Sequence, residues 1–108
     1  MKPRAFTAKE AKEKYLTMVA NYVDYWATLP NKTERERLEG LAFSMMVILD
    51  GEAGMMPGFT VKPCPHPSDR AYHIGRGENY FSTKTDIAGT LHEGILRKLL
   101  QLRTLIWK

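Results

Sequence analysis

A chain of 108 residues and 12.4 kDa is the size of one domain, and 44% apolar with 26% charged residues is the make-up of a folded globule rather than a disordered one. A single cysteine rules out an intrachain disulfide, so the fold is expected to rest on its core in a reducing compartment. The opening "MKPRAFTAKEAKEKY" has no apolar run behind its charges, and the most apolar stretch, "LAFSMMVIL" at 41–49, falls short of the ~20 residues that cross a bilayer, so the expectation is a soluble, cytoplasmic protein without membrane contact.

The net charge of +4 divides unevenly: +3 over residues 1–37, −3 over 38–93 and +4 over 94–108. Basic ends around an acidic middle attract acidic partners, but the charges are spread along helical segments as on a solvated face.

Thr7 with Glu10 forms a capping-box pattern, in which hydroxyl and carboxylate satisfy free backbone N–H groups. Behind it Ala11, Tyr15, Met18, Val19, Tyr22, Val23 and Trp26 recur at steps of three and four, which predicts an amphipathic helix over about 8–28. "LPNK" breaks it, because Leu29 precedes a proline. Thr33 with Glu36 repeats the capping box and predicts a second helix over about 34–50, whose later half is apolar on every side except at Ser44. A helix apolar all round is buried all round, so this segment is the centre of the fold or half of a homodimer interface.

Gly51 in "DGEAGMMPGF" is placed to end the second helix. "FTVKP" at 59–63 and "RAYHI" at 70–74 alternate apolar and polar residues, which predicts a short two-stranded antiparallel hairpin, its proline-rich strand at an edge. Asp86, Thr83 or Thr85 then caps a third helix over about 87–106, with Ile87, Leu91, Ile95, Leu99, Leu102 and Ile106 on one ridge. Arg97, Lys98, Arg103 and Lys108 suit the negative end of its dipole. The expected fold is a single small α+β domain over residues 1–108 in the order α-α-β-β-α.

The chemistry-bearing residues crowd "PCPHPSDRAYHIGRGENYF", residues 63–81, and the loops near it. Asp50, Glu52, His73 and His92 define one candidate pocket for acid/base or ligand chemistry, but no HExxH, CxxC or His-x-His spacing accompanies them, and no metal or cofactor is expected. Cys64 has Lys62 and His66 two positions away on either side, yet flanking prolines and the lack of a following helix N-terminus favour an inert thiol. "GRGEN" has the glycines and arginine of a phosphate cradle, but a turn whose glycines supply positive φ explains the same letters. Tyr72, Tyr80 and Phe81 beside Arg70 and Arg76 have the parts of a base-stacking platform, although no nucleic-acid motif frames them and nucleic acid is not the expected partner.

The fifth arrangement is a protein-interaction surface of Met55, Met56, Arg70, Tyr72, His73, Arg76 and Tyr80, since methionine adapts its shape to partners. No residue is assigned a catalytic role. The expected function is a non-enzymatic interaction module, a homodimer with a further protein partner; the alternative is a small enzyme using the His/carboxylate pocket. The runs "RLEGLAFSMMVILDGEAGMMPGFTVKP", "PHPSDRAYHIGRGENYF" and "DIAGTLHE" resemble a family of short bacterial proteins of unknown function, some borne on prophages, over residues 37–93. That resemblance implies a bacterial or phage accessory protein and carries no site residues with it.

Overall fold

In a computed structural model, residues 2–106 of the chain are described, with side chains through Arg103. Four helices follow in order: α1 (Ala8–Thr28), α2 (Glu34–Leu49), α3 (Asp69–Gly75) and α4 (Leu91–Ile106). Among the described residues there is no strand, so the expected α+β class and its hairpin are corrected to an all-helical fold. The Ile106 side chain and Lys108 lie outside the described residues.

Both capping boxes form. Thr7 accepts from the Glu10 N–H at 3.2 Å and the Glu10 carboxylate takes the Thr7 N–H at 2.9 Å; Thr33 and Glu36 do the same at 3.1 and 2.9 Å. Pro30 and Asn31, the latter at φ 61°, turn the chain back from α1 into α2. At the other end of α2, the Gly51 N–H bonds the Ile48 carbonyl and the Glu52 N–H the Val47 carbonyl. That pair of bonds with a left-handed glycine (φ 82°) is the Schellman termination, which satisfies carbonyls the helix leaves free.

α2 lies between α1 and α4 and packs on both, while among the described residues α1 and α4 do not contact each other. On the α1 side the Trp26 indole covers Gly40 and donates its Nε1–H to Ser44 at 2.9 Å, so the lone polar residue of the apolar run is satisfied. On the α4 side Phe43 meets the His92 ring edge-on at 6.0 Å, and Arg103 pairs with Glu39, which also holds Arg35 at 2.7 Å. Ile48 is wholly buried, Ala53 and Ser44 nearly so, and most other apolar side chains are half-covered or exposed. The result is a thin layer, 59 × 52 × 18 Å, with a radius of gyration of 18.0 Å against ~13 Å for a compact chain of this length. No described helix is long and apolar enough to cross a membrane.

The two segments expected to pair as strands behave differently. "RAYHI" is α3: the Tyr72 N–H reaches the Ser68 carbonyl, and Gly77 at φ 71° closes the helix through a second Schellman pair, Gly77 to Ile74 and Glu78 to His73. A pattern of five residues fits a helical turn as well as a strand, and the closing glycine decides for the turn. "FTVKP" is extended but finds no partner strand. The Val61 N–H goes to the Asp86 carboxylate at 2.8 Å and the Val61 carbonyl accepts from Ile87 at 2.8 Å. These two bonds pin together the ends of an arm, residues 62–85, whose helix α3 contacts no other helix among the described residues.

Candidate functional site

The densest polar geometry sits where the end of α2 meets the start of α4. Asp50, the C-terminal cap of α2, has a side chain with no solvent exposure. Its Oδ1 accepts the Gly89 N–H at 2.5 Å, and its Oδ2 accepts the His92 N–H at 2.8 Å and the His92 ring Nδ1–H at 2.5 Å. Gly89, at φ 117°, turns its amide toward the carboxylate, and Asp50 thereby caps the N-terminus of α4 from another helix.

Burial alone would raise the Asp50 carboxyl. The N–H of His92, its ring, and the N–H groups of Gly89 and Leu91 outweigh that burial and hold it at about 2. The hydrogen bond to Asp50 pushes His92 up, against a smaller opposing effect of burial, and the charges of Asp50, Glu93 and Glu52 push the same way. His92 Nε2 stands 3.8 Å from Glu93. The carboxylate is thus spent on the first turn of α4, and the imidazole bridges the two helices.

Of the expected pocket, Asp50, Glu52 and His92 come near one another and His73 does not. His73 lies in the arm, its Nδ1 3.1 Å from Glu78, on a helix that touches neither α2 nor α4. Among the described residues no three His, Cys, Asp or Glu side chains converge as metal ligands.

The expected interaction surface also divides. Arg70, Tyr72, His73, Arg76 and Tyr80 all belong to the arm and hold one another. The Arg70 guanidinium covers the Tyr80 ring at 5.3 Å, which ties the returning chain to α3. Arg76 covers the Tyr72 ring at 5.4 Å, donates to its hydroxyl at 3.0 Å and to Glu78 at 3.1 Å. Cys64 is exposed at the arm's base. Met55 and Met56 instead line an open groove of about 920 Å³ with Phe6, Lys14 and Met18 beside α1.

Two features are not foreseen from the residues. Asp86, expected as a cap of the last helix, gives its carboxylate to the Val61 and Ala88 N–H groups, and that helix starts at Leu91 rather than 87. The capping role of Asp50 has a readable signal, because an acid at the C-terminal end of α2 faces the negative end of a dipole and needs another helix start to hold it. The class these observations define is a thin helical layer with a capped junction and a projecting arm. No family model, no curated protein and no solved structure matches the chain.

Proposed function

We propose that the chain is a non-enzymatic interaction module that works as a homodimer in the cytoplasm, and that it is a bacterial or prophage accessory protein as its resemblance implies. The observation that carries the reading is surface area. The chain exposes 8964 Å², whereas a compact monomer of 12.4 kDa exposes ~6,100 Å². The excess of roughly 2,800 Å² exceeds the ~1,000–2,500 Å² that each chain contributes to an obligate homodimer interface. A further protein partner fits the arm, which is stiffened by its own contacts and helix-packed against nothing.

Light scattering on the purified chain at micromolar concentration tests this. The expected mass is twice that of the chain, and the mass of a single chain overturns the dimer.

A further inference from the structure

We infer that a second copy of this chain covers the broad face of α2 that lies opposite the cleft between α1 and α4, a face built from Leu38, Met45 and Leu49 of α2, Leu16 and Val23 of α1, and Leu102 of α4. The inference rests on the dimeric reading above and names which surface serves it.

The assignment follows from helix geometry. Successive side chains turn about 100° around α2. Gly40 and Ser44 face α1 through Trp26, and Glu39, Phe43 and Asp50 face α4 through Arg103 and His92. Between these two directions runs a cleft of about 360 Å³ lined by Trp26, Gly40, Phe43 and Leu96. Positions 38, 45 and 49 recur at helical spacing on the other side of α2, where no helix packs.

α1 and α4 both run antiparallel to α2, since Trp26 sits beside Ser44 and His92 beside Asp50 while Arg103 reaches back to Glu39. That direction and the right-handed turn of each helix bring Leu16, Val23 and Leu102 to the same broad side. None of the six residues is charged; Leu38, near the N-terminal end of α2, is 67% exposed, and Met45 and Leu49 are half-covered.

The occupant follows from the amount and the form of what is missing. Domains bury apolar surface between packed layers, and among the described residues no helix packs on this side of α2. A two-fold axis lays a self-complementary surface on itself, covers this side of α2, and removes part of the area this chain has in excess.

The test uses the full chain. Leu38→Asp is expected to weaken dimerisation at least ~100-fold in sedimentation equilibrium, as an unpaired charge buried in an interface does. Because that variant can fail to fold, Leu38→Cys in a Cys64→Ser background provides the second reading. Alkylation of the single thiol so introduced is expected to slow at least ~10-fold when the chain is concentrated from its monomeric to its dimeric range. A parent chain that stays monomeric overturns the reading and the inference together. A dimeric parent whose introduced thiol reacts equally fast at both concentrations, or whose Leu38→Asp form dimerises as before, overturns this face alone.

Discussion

Asp50 and His92 join two helices through two hydrogen bonds at once, the ring at 2.5 Å and the backbone N–H at 2.8 Å, on a carboxylate wholly withdrawn from solvent. Removing one partner of such a pair leaves the other without compensation. Asp50→Ala deletes the cap of α4 and strands the His92 ring, and is expected to lower stability by ~3 kcal/mol. Asp50→Asn keeps one acceptor oxygen for the backbone N–H groups and is expected to cost about half as much. Chemical denaturation of the two variants at neutral pH checks the order, and equal losses would mean that the retained amide oxygen contributes nothing and the carboxylate charge carries the whole effect.

The same pair sets a pH window. His92 is raised in the folded chain, so its contribution is complete below its ordinary range of ~6.5 and is lost as pH rises through the raised value. Asp50 is depressed to about 2, so its contribution is complete above its ordinary ~4 and fades as pH falls toward 2. Stability is expected to be greatest between about pH 4 and 6.5 and to decline on both sides. His92→Gln is expected to flatten the alkaline decline and leave the acid one in place, read from thermal midpoints across the range.

The junction of α1 with α2 turns on one indole. A Cβ at Gly40 would stand 2.5 Å from three ring carbons of Trp26, so Gly40→Ala forces the ring aside. The overpacking costs ~1–3 kcal/mol against a helix-propensity gain of ~1 kcal/mol, and a net loss is expected. Ser44→Ala leaves the Trp26 N–H without its acceptor and is expected to cost ~1–2 kcal/mol. Both changes act through the same ring, so the double variant is expected to lose less than the two singles added. Urea titration of all three resolves the coupling; strict additivity would mean that the ring does not move.

What can be read in the residues is what repeats or caps. Thr7 with Glu10 and Thr33 with Glu36 mark two helix starts to the residue, because a capping box is a local bond pattern that neighbours cannot easily override. The apolar circumference of α2 foretells its place between two helices. The start of α4 misleads because Asp86 is a good cap by type, and what holds it elsewhere is Val61, 25 positions away. The hairpin misleads because a five-residue alternation carries no length, and the choice falls to Gly77 after it. Of the pocket residues, Asp50 with His92 is recoverable from the misplaced acid. The separation of His73 is not, since it depends on where the pinned bases of the arm point.

That arm gives the last expectation. Val61, Asp86 and Ile87 close its base, Pro63, Pro65 and Pro67 stiffen its outgoing side, and Arg70 on Tyr80 ties down the return. Since α3 meets no other helix, a short Gly/Ser linker in place of residues 63–84 removes no packing between α1, α2 and α4. Shortening the loop changes closure entropy by only about 1 kcal/mol, in the stabilising direction. The thermal midpoint is therefore expected to stay within about 4–8 °C of the parent, and helical circular dichroism to fall only by the share of α3. A larger drop in the midpoint, together with loss of the dimer, would show that the arm reaches across to a second copy. A parent-like midpoint with the dimer intact would leave the arm free for a different protein.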